Sequence, residues 1–329
     1  MRIRVWSEFL SCEEASDPRV LDLLQEHDVG INFSVKHEMV APALAELLRE
    51  TTTRGISMCL WLLLSKAEGY WPSERNAERF AEYVEEVLGW AGKEGVVIDE
   101  IAVDLEPPLY FHEETKDLKG IRAAFAGLRI ARSNLNRHRF RHAAAVFNKM
   151  QDSLAERGIE TYVPVLPLIV DDMVRGSEVI QDLAEGPVSS VGWDRISPMI
   201  YTTMFQQFSN RFISREDARW MVYSYSKDLV EQVNDRAAAS IGLTGTGILG
   251  KEWIFRDIDE LRQDAAAAKA AGVEDIAIFN LEGIMNREDP DAWLRAVIDA
   301  EPEVPVSSRR AERLRWAIQR GSRLLGVFR

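Results

Sequence analysis

A chain of 329 residues, 46% hydrophobic and 28% charged, has enough apolar matter for one large α/β barrel or two ordinary domains. Its net charge of −13 argues against a nucleic-acid partner, which would need a basic face to displace counterions from phosphates. Cys12 and Cys59 are the only cysteines, too few for a disulfide framework or a thiolate zinc site. The opening "MRIRVWSEFL" lacks the apolar core and cleavage site of a secretory signal, and no apolar run approaches the roughly 20 residues of a membrane span. A cytoplasmic protein is expected.

In chain order, the strand-like runs are "RIRVWSEF" (2–9), "VGINFSV" (29–35), "ISMCLWLLL" (56–64), "IDEIAVDLE" (98–106), "ETYVPVLP" (160–167), "ISPMIYTT" (196–203), "SIGLTGTG" (240–247) and "DIAIFNLEG" (275–283). Helical patterns separate them. The clearest has apolar residues at Ala77, Phe80, Ala81, Val84, Val87 and Leu88, the i, i+3, i+4, i+7 stripe of an amphipathic helix, with Ser73 or Asn76 as N-cap. Another, ending at Gly272, leads into the last strand. Strand and helix alternate through eight units with no run of hairpins, which predicts a parallel sheet closed as a (β/α)8 TIM barrel over residues 1–300. An open doubly wound sheet is the alternative, but "GLTGTGILG" is not the G-x-G-x-x-G dinucleotide loop, and no cofactor motif is present. Residues 109–159 hold more than one helix requires: two, around 117–133 and 138–157, are expected after strand four.

The fourth strand poses the functional question. Side chains alternate along a strand, so Ile101, Val103 and Leu105 share one face while Ala102, Asp104 and Glu106 share the other. The apolar set should meet the helices. Asp104 and Glu106 then point into the barrel, Glu106 nearest the C-terminal mouth, and Pro107 and Pro108 stop the strand there. Two neighbouring buried carboxylates cannot both stay charged cheaply, so one should keep its proton near neutral pH. A glycosidase needs such a group to protonate a leaving oxygen. The bland alternative is an ion pair with an Arg, Lys or Tyr inside the barrel.

"DEIAVDLE" resembles the D-G-x-D-x-D-x-E signature of glycoside hydrolase family 18, the chitinase and endo-β-N-acetylglucosaminidase family of (β/α)8 barrels, with Asp99, Asp104 and Glu106 on its first Asp, last Asp and Glu. In "ISPMIYTT", Met199 and Tyr201 match that family's M-x-Y-D. The resemblance implies Glu106 as general acid and Asp104 as the group that orients a substrate N-acetyl whose carbonyl oxygen attacks the anomeric carbon. It makes Tyr201 a second hydrogen-bonding partner of that acetamido group. Glu100 replaces the family's Gly, Ala102 its middle Asp and Thr202 its Asp after Tyr, and "IAIFNLEGI" lacks its strand-eight Trp. Those departures define the rival reading, a catalytically inactive carbohydrate-binding barrel.

Other rim positions complete the expectation. Glu8 and Glu282 end strands one and eight, neighbours in a closed barrel. They offer a second chemistry, with Glu106 as acid and Glu282 as nucleophile or base. Trp61 and Tyr201 are the aromatics best placed to line a sugar cleft, with Glu8, Asn32 and Thr202 as further substrate contacts. No metal site is expected: His138 and His142 have helical spacing but stand in the basic "NRHRFRHAAA". Asp171 and Asp172 after strand five read as helix caps or substrate contacts.

After the linker "EPEVPVSS" the composition changes. Residues 301–329 form a tail whose last 23 residues, 307–329, hold seven Arg and one Glu. Leu314, Ala317, Ile318, Gly321, Leu325 and Phe328 fall on one helical stripe. Such a basic amphipathic helix suits peripheral contact with an anionic membrane surface or an acidic partner, or else folds back on the acidic barrel.

Overall fold

The computed structural model describes residues 1–106, 134–209, 211–248 and 250–326; the Pro107–Pro108 rim and the helix expected around 117–133 lie outside the described residues. The eight strands are β1 (Arg2–Ser7), β2 (Val29–Lys36), β3 (Met58–Leu63), β4 (Glu100–Ala102), β5 (Glu160–Val165), β6 (Arg195–Pro198), β7 (Ala239–Gly242) and β8 (Asp275–Phe279). All neighbours pair in parallel, in the order β6-β5-β4-β3-β2-β1-β8-β7. Bridges from Ile196 to Ala237 and from Met199 to Ser240 join the two ends. The result is the closed (β/α)8 barrel that the alternation of patterns implied.

The helices form where the sequence supplies caps. Asp17 caps Pro18–Glu26 with a proline in its first turn, Ser214 and Asp217 form a capping box on Arg215–Val233, and Asp257 caps Ile258–Ala270. The helix after β3 runs Ala77–Glu94, its N-cap position at Asn76 rather than Ser73; it stops at Gly95, whose φ of 64° is the left-handed C-cap geometry glycine tolerates. The second expected helix of the β4 connection is Arg137–Glu156. Strand faces follow the alternation: Ile101, Val103 and Leu105 pack in the core between sheet and helices, whereas Ala102 joins the interior cluster with Trp6, Cys59, Trp61, Tyr162 and Tyr201.

Most expected strands run past their observed ends; β4 itself stops at Ala102, with Asp104 and Glu106 in the segment beyond it. β6 stops at Pro198 and a helix, Thr202–Phe208, starts at once; β7 stops at Gly242; β8 stops at Phe279. In each, the residues beyond turn into the loops that form the barrel mouth, where pleated pairing has no partner. No described helix is long and apolar enough to cross a membrane.

Candidate active site at the barrel mouth

The barrel interior is layered, and charge is handled differently at each level. At the bottom Arg4, 2% exposed, donates to Asp275 through Nε and Nη2 (2.9 Å each), to Glu100 through Nη1 (2.5 Å) and to Asn32 Oδ1 (3.1 Å). Its guanidinium also lies 4.5 Å from the Tyr162 ring centroid. The interior Arg that could have neutralised the β4 acids is therefore committed one turn of the pleat below them, to Glu100. Above it, Trp6 packs edge-on against Trp61 (5.0 Å) and Tyr162 (5.7 Å). Trp6 Nε1 donates to Ser240, Tyr162 donates to Ser197, and the two serine hydroxyls share a 2.9 Å hydrogen bond. This satisfied polar network is a floor.

On that floor opens a cavity of about 470 Å³. Glu8, Asp104, Glu106 and Glu252 supply its carboxyl groups; Trp6, Trp61, Trp71, Tyr201 and Phe279 supply aromatic walls. Among the described residues no Lys, Arg or His lines it. Asp104 is 2% exposed, and its Oδ1 has no hydrogen-bond partner. Burial, then the charges of Glu106 and Glu8, hold its pKa well above the carboxylate range; the nearby Trp61 indole opposes this weakly, its N–H falling outside hydrogen-bond geometry. Burial pushes Glu106, half-buried at the mouth, up to about 7. Glu8 reaches about 8 through burial and the repulsion of Glu282, Glu106 and Glu252, against a 3.4 Å hydrogen bond from the Tyr70 hydroxyl. Gly247 lets Glu8, Glu252 and Phe279 converge: a Cβ there would lie 3.2–3.4 Å from all three side chains. The Tyr201 hydroxyl faces this acidic site with no hydrogen-bond partner among the described residues, its pKa raised by burial and then by Glu106 and Asp104. The chemistry on offer is proton donation near neutral pH, beside unsatisfied polar atoms and flat apolar faces.

Of the residues picked from sequence, Glu106, Asp104, Tyr201, Trp61 and Glu8 come together here. Three do not. Asn32 lies opposite Trp6 but does not line the cavity, and its Oδ1 accepts from Arg4. Thr202 begins the helix after β6 and donates its hydroxyl to buried Asp264. Glu282 belongs to the helix Leu281–Met285, which Asn280 caps; its Oε1 accepts from Ser7 Oγ (2.9 Å), Phe9 N (2.8 Å) and Leu10 N (3.3 Å), clamping the loop after β1. Its other oxygen, Oε2, is buried without a partner, and Glu282 is not among the residues that line the cavity. The sequence reading missed Glu252, Phe279 and two residues of the tail, Leu314 and Ile318. Phe279 was legible as the last inward position of β8; the others reach the site from segments whose tertiary path no local pattern encodes.

The tail does fold onto the barrel. The helix Arg309–Gly326 is held by Arg315, which donates to Asp171 (2.6 Å) and Asp228 (2.7 Å) and stacks 3.9 Å from the Tyr225 centroid. Gln319 also donates to Asp171, and Arg310 pairs with Asp217. Asp171 is thus an anchor, while Asp172 caps Val179–Leu183 by accepting from the Ile180 and Gln181 amides. His142 pairs with exposed Glu78.

No known family matches the sequence, and neither does any curated protein. Solved structures do share the fold. The glycoside hydrolase domain of PgaB (BpsB) from Bordetella bronchiseptica superposes with a TM-score of 0.53 at 10% identity, over 90% of this chain and 99% of that one. A family 5 xyloglucanase from Paenibacillus pabuli gives 0.51 at 10% identity, over 86% and 90%. An L-ribulose 3-epimerase gives 0.48 at 14% identity, over 98% and 97%. At these identities the likeness is one of fold: the PgaB domain and the xyloglucanase share the barrel architecture of this chain.

Proposed function

We propose that the protein is a glycoside hydrolase, with Glu106 as general acid and then base, acting on a sugar that carries an N-acetyl group. The observation that carries this is the carboxyl pair just past β4: buried Asp104, with an unpartnered oxygen, lies one step below a half-buried Glu106 whose proton is retained to about pH 7. In the proposed reaction the Glu106 carboxyl O–H protonates the glycosidic oxygen as the bond to the anomeric carbon breaks. The acetamido carbonyl oxygen takes the vacated position. Asp104 and Tyr201 hold that acetamido group, and the Glu106 carboxylate then accepts a proton from the water that opens the cyclic intermediate. Two facts favour this route over a protein nucleophile. Glu282 is occupied with the loop after β1, and Glu8 is held neutral up to about pH 8, a poor state for a nucleophile. The aromatic walls suit the C–H faces of a sugar ring, and the fold performs glycoside hydrolysis in the PgaB domain and the xyloglucanase.

Hydrolysis of chromogenic N-acetylglucosaminides and of the matching glycosides without the acetamido group, by wild type and Glu106→Gln, tests the proposal. Turnover of the N-acetylated series that Glu106→Gln abolishes supports it. Equal rates for the two proteins remove Glu106 from catalysis, and oligosaccharide binding without turnover favours the inactive carbohydrate-binding barrel.

A further inference from the structure

The cavity is more apolar than a sugar alone requires. Its carboxyl groups come from the ends of β1 and β4 and from the loop after β7, whereas the wall that continues past β4, around β5 and β6, is aliphatic and aromatic. Leu166 and Leu168 follow β5, Phe205 and Phe208 belong to the helix after β6, and Leu314 and Ile318 reach in from the C-terminal helix. Phe208 is 70% exposed, a large apolar surface left open at a site rim. Leu314 and Ile318 are only partly buried, although the helix bearing them is pinned by Arg315 to fully buried Asp171 and by Arg310 to Asp217. Two of the tail's arginines, Arg310 and Arg315, pair with the barrel's own acids. Its apolar face borders the cavity.

We propose that this wall is a subsite for an apolar aglycone, an alkyl or isoprenoid chain, carried by the sugar that Glu106 acts upon; the assignment of that chain as the leaving group rests on the glycosidase reading above. Glu106 stands at the edge of the apolar wall, since β4 neighbours β5, so the bond it protonates would join sugar to chain. The C-terminal helix is then the specificity element: it builds part of the chain's wall and makes none of the carboxyl site. A hydrophilic oligosaccharide on that side would gain little from six apolar side chains, while each buried methylene of a chain should gain roughly three- to fourfold in affinity.

The test measures dissociation constants of the full chain for butyl, hexyl and octyl β-D-glucoside, below their micellar concentrations, by calorimetry. Two variants are compared: Ile318→Asn on the tail and Phe208→Asn, whose exposed position makes it safe for folding, each checked by its thermal melt. We expect at least tenfold tighter binding of octyl than butyl glucoside by the wild type, and at least threefold of that gain lost in each variant. No gain with chain length, or a gain unchanged in either variant, overturns the subsite. Because binding is read without turnover, a chain-length gain with no hydrolysis of any glycoside would leave the subsite standing and sink the hydrolase; hydrolysis without the gain would do the reverse.

Discussion

Glu100, at the start of β4, and Asp104, two residues past its end, stand four residues apart and live opposite lives. Glu100 shares Arg4 with Asp275 in a layer where every charge has a partner. At Asp104 no cation among the described residues lines the cavity; it keeps an unpartnered oxygen and faces two more carboxyl groups. The lower layer is a structural plug that closes the barrel. The upper one stores electrostatic cost, and a buried acid that cannot ionise comfortably is one that can donate a proton. What separates them is a single guanidinium placed at Arg4 rather than two residues further on at Trp6.

That contrast can be broken from either side. The largest effect is expected at the top: Glu106→Gln keeps the shape but removes the transferable proton, and should lower kcat/KM on an N-acetylglucosaminide by about 100- to 10,000-fold with little change in melting temperature. At the bottom the reverse holds. Arg4→Met should strand Glu100 and Asp275 in the interior and destabilise the fold by about 3–5 kcal/mol, read by urea denaturation. Stability should also depend on pH with a definite sign. Glu8 binds its proton up to about pH 8 when folded but only to about 4.5 when unfolded, so its contribution is complete below about pH 4.5 and is lost as pH rises towards 8. Glu106 and Glu74, held at about 7 and about 8, act in the same direction. The melting temperature should therefore fall between pH 5 and 8, and Glu8→Gln should flatten that slope. The smallest effect belongs to the tail: Arg315→Gln should cost about 2 kcal/mol by loosening its charged hydrogen bonds to Asp171 and Asp228.

How much of this was legible follows from which forces are local. Alternation along "IAVDLE" placed Asp104 and Glu106 inward because a strand's period of two leaves no other choice, and the same rule puts Ile101, Val103 and Leu105 under the helices. Alternation gives a face but not a height. Asn32 was inward as expected, yet its Oδ1 accepts from Arg4 and it does not line the cavity that Trp6, its partner in register, helps to wall. Strand ends were overrun wherever a helix begins without a break in apolar character; Asn280 before "LEGIM" was the signal that Glu282 sits on a helix. The tail's seat was not legible. Its stripe and its arginines fit a membrane or an acidic protein equally well, and only the folded chain shows Arg310 and Arg315 paired with Asp171, Asp217 and Asp228 of the same molecule.

The central claim is that carboxyl groups at the mouth hold protons near neutral pH because burial disfavours their charge and no cation among the described residues lines the cavity. Carbon-13 NMR titration of protein labelled at the glutamate side-chain carboxyls, with signals assigned by Glu106→Gln and Glu8→Gln, measures this directly. The account requires the Glu106 signal to titrate near 7 and the Glu8 signal near 8. Both titrating near 4.5, like glutamates in water, would contradict it.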